Sequence, residues 1–166
     1  MNDNQNLLIE PLNSGHDKSA FDCWVSSLNY YLKKQAGQDI KRRISRVFVA
    51  TTLDQPTRIV GYYTLSSLSI ELNELPQTLS RKLPRHRIPA ALIGRLAINQ
   101  QDQGNGIGQM LMANGIRRTL NVSSDIAIYA MVVDAINEDA QHFYEKFGFI
   151  RLNVEHRRLF LPLNKI

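Results

Sequence analysis

The chain has a single cysteine, Cys23, among 166 residues. A disulfide needs two, so a disulfide-stapled scaffold is excluded, and the count is consistent with a reducing compartment. No run approaches the roughly 18 consecutive apolar residues of a membrane span. The first residues, MNDNQNLLIEPL, have neither a basic start nor an apolar stretch, so no secretory signal is expected and the cytoplasm is the expected location. No internal repeat or low-complexity tract occurs, and glycine and proline are scattered as punctuation rather than gathered into a linker. With 43% hydrophobic and 21% charged residues, the chain is globular in composition rather than disordered. Its length predicts one domain over residues 1–166, long enough to bury a real core.

Acid is missing in one long stretch. From Leu75 to Gln101 there is no Asp or Glu, while Arg81, Lys82, Arg85, Arg87 and Arg95 all lie there. From Lys33 to Arg46, six basic residues (Lys33, Lys34, Lys41, Arg42, Arg43, Arg46) face one acid, Asp39. The formal net charge is +5. Such a balance attracts polyanions but does not argue a fold, and either segment can also be a simple solvated face.

Periodicity outlines the elements. Leu7–Leu12 reads as a first strand. Phe21, Trp24, Val25, Leu28, Tyr31 and Leu32 are spaced by three and four, which predicts a helix over Ser19–Gln35, broken near Ser26–Asn29. Gly37–Ile44 is polar and reads as a loop. Arg46–Thr52 and Arg58–Ser69 alternate and form an expected antiparallel hairpin. Three prolines, Pro76, Pro84 and Pro89, prevent Glu74–Pro89 from forming one element, apart from a short helix around Gln77–Lys82. A strand over Ala90–Ile98 interrupted by Gly94-Arg95, a helix over Gly104–Leu120, a strand over Ile126–Val133, a helix over Asn137–Phe147 and a last strand over His156–Leu163 follow. Two β-α-β crossovers in the second half predict parallel strands.

Between Ile98 and the helix lies Asn99-Gln100-Gln101-Asp102-Gln103-Gly104-Asn105-Gly106-Ile107-Gly108. Glycines allow positive φ and leave no Cβ in front of the amides. The first turn of a helix carries unpaired N–H groups and partial positive charge, which suits a pyrophosphate. The alternative is a tight βα turn whose glycines serve only packing. A dinucleotide turn wants G-x-G-x-x-G near the chain start, and a P-loop wants a Lys after its last glycine; neither pattern is met.

The segment Gln103-Gly104-Asn105-Gly106-Ile107-Gly108 resembles the Q/R-x-x-G-x-G/A signature of the GNAT acyltransferases. Asn137-Glu138-Asp139-Ala140-Gln141-His142-Phe143-Tyr144-Glu145-Lys146-Phe147-Gly148-Phe149 is similar to that family's N-x-x-A-x-x-F-Y-x-x-x-G-F motif. The resemblance spans nearly the whole chain. It implies an α/β (α+β) GNAT fold, a mixed sheet of six to seven strands with about four helices. It implies acetyl-CoA as co-substrate and no metal. The backbone of Leu96 and Ile98, flanking Ala97, would bind the pantetheine; the amides from Gln103 through Gly108 would hold the pyrophosphate; Asn137, Ala140 and Phe143 would line the cofactor site. Tyr144 would place its hydroxyl near the thioester sulfur.

The reaction so implied needs a deprotonated amine, a stabilised carbonyl oxygen and a protonated leaving thiolate. Tyr144, with an ordinary pKa of about 10, keeps its proton at neutral pH and fits the last role. Glu71, Glu74, Asp134 and His142 are candidate bases, none convincing. An acceptor α-amine titrates near about 7.7–8.0 and needs little help, unlike a lysine amine at about 10.4. Cys23 on an apolar face reads as a buried small residue.

Within the superfamily the chain looks most like acetyltransferase toxins of bacterial toxin–antitoxin pairs, through Arg58-Ile59-Val60-Gly61-Tyr62-Tyr63-Thr64-Leu65, Leu83-Pro84-Arg85 and Gly94-Arg95-Leu96-Ala97-Ile98. That likeness implies aminoacyl-tRNA as acceptor, a ribbon-helix-helix antitoxin, and a homodimer. The alternatives are an acetyltransferase of protein N-termini or small amines, and a non-enzymatic CoA-sensing or nucleic-acid-binding module.

Overall fold

The computed structural model describes residues 6–85, 87–152 and 157–166. In chain order the elements are β1 (Leu7–Pro11), α1 (Ser26–Tyr30), a π-helical turn (Tyr31–Gln35), α2 (Ala36–Lys41), β2 (Arg46–Thr52), β3 (Gly61–Ile70), α3 (Gln77–Ser80), β4 (Ile88–Ile93), β5 (Leu96–Ile98), α4 (Ile107–Val122), β6 (Ala130–Asp134), α5 (Glu138–Glu145), β7 (Ile150–Arg151) and β8 (Arg158–Pro162). They divide into two compact units. The first holds residues up to Leu65 together with Arg95–Ile116; the second holds Ser66–Gly94 and Arg117–Ile166. Strand β3 contributes its first half to one unit and its second half to the other.

In the first unit β1, β2 and β3 form an antiparallel meander, with Ile9 opposite Ala50 and Val49 opposite Tyr62. β5 adds to the other edge of β3, Tyr62 opposite Ala97. Val47 and Val49, two apart and so on one face, join Tyr62 and Ala97 in a cluster with Phe21, Leu28, Tyr31, Leu32 and Ala36. Leu28, Leu32 and Ala36 repeat every four residues, as a buried helical stripe must. The helix widens after Tyr30, where the Tyr62 hydroxyl donates to the Leu28 carbonyl at 2.7 Å. A side-chain donor competing for a helix carbonyl is a recognised cause of such a bulge. On the other face of the meander Phe48 stacks on Tyr63, their centroids 5.2 Å apart.

In the second unit β4 pairs antiparallel with β3 and parallel with β6, while β8 pairs antiparallel with both β6 and β7. Ile70, Leu75, Ile88, Ala90, Ala130, Val132, Leu152 and Phe160 make its core. α5 begins at Asn137, whose side-chain oxygen accepts from Ala140 N at 2.9 Å, with Glu138 and Asp139 in the positive first turn. It ends just before Gly148, at φ +96.

The mixed sheet and four helical stretches match the expected α/β class, with eight strands among the described residues instead of six or seven. The surplus has two causes. Ala90–Ile98, expected as one strand interrupted at Gly94-Arg95, is two strands there, β4 and β5, which pair with opposite halves of β3, β4 also pairing with β6. The two-residue β7 was too short to show a period. Three other expectations are corrected. The helix starts at Ser26 rather than Ser19 and runs on to Lys41, so Gly37–Ile44 is mostly helical; burial of Ala36 and the Tyr31 hydroxyl's 2.9 Å bond to Asp39 hold that extra turn. β6 starts at Ala130, leaving Ile126 exposed. The last crossover does not give a parallel neighbour: the chain reverses after β7, so β8 lies antiparallel beside β6. His156, where the last strand was expected to begin, lies outside the described residues. No described helix is long and apolar enough to cross a membrane.

Candidate active site

The residues singled out from the sequence fall into two groups, one in each unit. In the first unit β5 leads into the glycine turn. Gly104 and Gly106 have φ of +84 and +79, a region that other L-residues enter only with strain. Gly108 lies inside α4 with no such requirement, so two of the three glycines are conformational and the third is not. A Cβ built at Gly104 meets nothing within 4 Å, so the backbone there is uncovered. Gln103 and Asn105 are exposed, and Ile107 is buried and anchors the helix start. The turn thus presents open main chain at the positive end of a 16-residue helix, a fit for a pyrophosphate.

The pairing of β5 has a consequence for its backbone. Thr64 N donates to Arg95 O, and Asn99 N donates to Val60 O, both toward β3. In an antiparallel ladder successive residues point opposite ways, so Arg95, Ala97 and Asn99 bond β3. Leu96 and Ile98 direct their N–H and C=O groups to the other edge, where no strand pairs with β5 among the described residues. The Gln103 side chain caps that edge by donating to Ile98 O at 3.0 Å. Both groups of Leu96 and the N–H of Ile98 remain available to an extended ligand. At Gly61, opposite Ile98, a side chain would be crowded: a Cβ would lie 3.0 Å from Ala97 O, Ile98 Cδ1 and Leu111 Cδ1, so these would have to give way.

Residues that the sequence reading did not single out brace this turn. Asn99 is buried; its oxygen accepts from Asp22 N at 3.0 Å and its amide donates to Asp102 at 3.0 Å. Asp102 also accepts from both Arg58 terminal nitrogens, at 2.8 and 3.3 Å. The local signal was the N-x-x-D spacing after a strand. The partners Arg58 and Asp22 are far off in sequence and carried no such signal.

In the second unit Tyr144 is 4% exposed, on the inner side of α5. Burial raises its pKa well above the usual tyrosine value, and the nearby Asp134 carboxylate adds to the shift. Phe143 contacts it edge-on, with ring centroids 5.4 Å apart, and Ala140 lies one turn before. Of the candidate bases, Asp134 holds Arg158 in a two-pronged pair at 2.7 and 3.0 Å. Glu71 sits 3.5 Å from Arg87 on the surface, and His142 is exposed on the outer side of α5. Glu74 is half-buried and near enough to Arg158 to act on it, so none of the four is presented as a buried, unpaired base. Among the described residues no three His, Cys, Asp or Glu side chains converge as a metal group would.

The basic segments part company. Arg95 is not a surface charge: its guanidinium lies 3.6 Å above the Tyr31 ring, a cation–π contact. Arg81 and Arg85 instead rim an open cavity of about 1040 Å³ in the second unit, floored by Leu72, Leu75, Leu83 and Leu152. Arg151 joins them there, and nothing in the sequence pattern had linked it to that segment. Lys41, Arg42 and Arg43 are exposed at the end of α2.

Comparison with known proteins agrees with this architecture. A model of the acetyltransferase (GNAT) domain matches residues 43–151. "Probable toxin TacT" of Sinorhizobium fredii is 32% identical, covering 96% of this chain and 92% of that protein. A "tRNA-acetylating toxin" of Mycobacterium tuberculosis is 31% identical, covering 83% and 81%. Among solved structures, a tyrosine-to-phenylalanine mutant of KacT superposes with a TM-score of 0.91 at 36% identity over 97% of both chains. AtaT complexed with acetyl-methionyl-tRNAfMet superposes at 0.89 with 32% identity over 96% of both. A mutant AtaT toxin bound to the C-terminus of the antitoxin AtaR and acetyl-CoA superposes at 0.81 with 29% identity, over 96% of this chain and 95% of that one.

Proposed function

This chain belongs to the GNAT acetyltransferase family, and from that premise we propose that it is a toxin that acetylates the α-amino group of aminoacyl-tRNA. The observation that carries the reading is the strandless edge of β5 running into the Gly104–Gly106 turn. An extended acyl-pantetheine needs the first, and a pyrophosphate needs the second. The tRNA half rests on relatives named for that activity and on one solved with acetyl-methionyl-tRNAfMet. The family model runs through segments of both compact units, which supports reading residues 1–166 as one acetyltransferase domain.

Acetyl-CoA supplies an acetyl group activated as a thioester. The backbone of Leu96 and Ile98 binds and orients it, and the amides from Gln103 through Gly108 hold its pyrophosphate; the family likeness assigns Asn137, Ala140 and Phe143 to the same cofactor. In the transfer an amide bond forms as the C–S bond breaks; sulfur takes up one proton while the nitrogen releases one, which restores the donor's hydroxyl. We assign the proton that sulfur takes up to Tyr144. Its burial disfavours tyrosinate, so the hydroxyl enters the reaction protonated. A thiolate whose ordinary pKa is near about 8.5 then needs a hydrogen bond as it develops more than an acidic donor. No strong base is required, because an aminoacyl α-amine is partly neutral at pH 7.

A ribbon-helix-helix antitoxin, a homodimer and the cytoplasm as site of action complete the reading. The antitoxin is supported by the AtaT complex with AtaR, and the cytoplasm by the location of charged tRNA. The test is incubation with labelled acetyl-CoA and charged or uncharged tRNA. Label is expected on charged tRNA alone. Label confined to a peptide N-terminus or small amine would replace the acceptor; no transfer at all, with acetyl-CoA bound, would leave a CoA-sensing module.

A further inference from the structure

We propose that Trp24 is a stacking platform for an unpaired base of the RNA acceptor; this rests on the tRNA reading and adds to it a specific contact. Trp24 is the only tryptophan in the chain and is 67% exposed. Its φ is +67, a conformation costly for a bulky side chain. The flanking Cys23 and Val25 pack into the first unit's core, so the strained residue is turned outward between two inward ones.

The strain is held by a dedicated set of bonds. Asp22 Oδ1 accepts from Trp24 N and from the Asn29 amide, both at 2.9 Å, and Asn29 in return accepts from Cys23 N at 2.9 Å. The same segment is tied to the end of β5. Asp22 N donates to Asn99 Oδ1 at 3.0 Å, and Asp22 O accepts from Gln100 N at 2.8 Å. Trp24 therefore stands two residues from a joint with the strand whose free edge we assign to the cofactor. Relaxing the strain would turn the indole elsewhere; burying it would remove apolar surface from water. The fold does neither, and instead fixes a large flat ring in solvent at this place.

Its surroundings favour RNA over a protein occupant. The Asp22 carboxylate is occupied by Trp24 N–H and the Asn29 amide, and Lys33 lies near enough to offset its charge. On the helix that follows, Tyr30, 58% exposed, and the exposed Lys34 lie one turn apart. Exposed aromatic rings with lysines following closely in the chain suit single-stranded RNA, whose bases stack while its phosphates meet cations. The unpaired acceptor end of a charged tRNA is such a strand.

The experiment uses the chain's lone tryptophan as its own reporter. Fluorescence of the full-length protein is titrated with charged tRNA and, separately, with acetyl-CoA. Saturable quenching by tRNA alone is expected. Kinetics with aminoacyl-tRNA follow for Trp24→Gly, which accepts positive φ, and for Trp24→Phe. The glycine variant should lose about 5- to 150-fold in kcat/KM, with its Tm and acetyl-CoA affinity unreduced, and the phenylalanine variant should keep most activity. Acetylation of charged tRNA with no quenching and unchanged kinetics would overturn the stacking role alone. Quenching by acetyl-CoA, or a change of oligomeric state in Trp24→Gly, would reassign the ring to the cofactor or to a subunit contact and overturn it as well. Absence of any transfer to charged tRNA by the parent protein would overturn the function on which the proposal rests.

Discussion

Asp102 and Arg58, 44 residues apart, are joined by two hydrogen bonds of 2.8 and 3.3 Å. The pair is half-buried, and Asp102 also receives the Asn99 amide. It fixes the β2–β3 connection to the loop that enters the glycine turn. Isolated surface ion pairs contribute about 0–1 kcal/mol, but this one is shielded and shared with a third group. Asp102→Ala should therefore lower stability by about 1–2 kcal/mol and raise KM for acetyl-CoA more than it lowers kcat. Chemical denaturation and steady-state kinetics check both. A KM unchanged at equal kcat would show that the brace does not reach the turn.

Tyr144→Phe keeps the ring and removes only the donor. Acetyl-CoA affinity should hold while kcat falls by roughly 10²–10⁴-fold. A change under about threefold at saturating acetyl-CoA would make Tyr144 a packing residue, since a real general acid contributes far more.

Burial also raises the pKa of Tyr62 and Tyr31, the first most strongly. A tyrosine with a folded pKa above its unfolded value binds its proton longer in the native state. Stability is then flat below the ordinary tyrosine pKa of about 10 and falls as pH rises beyond it, because the unfolded chain ionises first. Thermal melts from pH 7 to 11 should show that decline, and Tyr62→Phe should reduce its slope.

Gly106→Asp places a carboxylate where the turn should meet a pyrophosphate. Aspartate tolerates positive φ better than most residues, so the fold should survive while acetyl-CoA binding is abolished. Gly104→Ala tests conformation without charge. Space is open there, so only backbone strain of about 1–2 kcal/mol is expected. Calorimetry giving parental affinity for Gly106→Asp would remove the anion assignment.

Two sets of charges test the acceptor. One variant replaces Lys41, Arg42 and Arg43 with Ala; another replaces Arg81, Arg85 and Arg151, which share one cavity rim. Acetyl-CoA affinity should be unmoved in both. At least one should lose kcat/KM for charged tRNA, and the salt dependence should flatten by about 0.7–0.9 in slope per phosphate contact removed. Silence of both, with peptide acetylation intact at high salt, would favour a different acceptor.

Much of the site is written in short stretches of chain. The run Gly104-Asn105-Gly106-Ile107-Gly108 marks a turn locally without telling which glycines take positive φ, and the Asn137 cap with Glu138 and Asp139 starts α5 through bonds spanning three residues. Helical stripes such as Leu28, Leu32 and Ala36 are likewise local, because their period belongs to the helix itself. What pairs with what is different in kind. That β4 and β5 pair with opposite halves of β3, that β8 lies beside β6, and that Arg58 closes on Asp102 all depend on where distant segments arrive. Each such contact must offset the entropy of closing a long loop, and only the whole packed core can do that. The same holds for charges and aromatics of one segment: Arg95 came to lie on Tyr31, Arg81 and Arg85 met Arg151, and Trp24 was turned to solvent. Composition marks such residues as charged or apolar. Whether they are exposed, paired or buried is set by their neighbours in space, which periodicity does not encode.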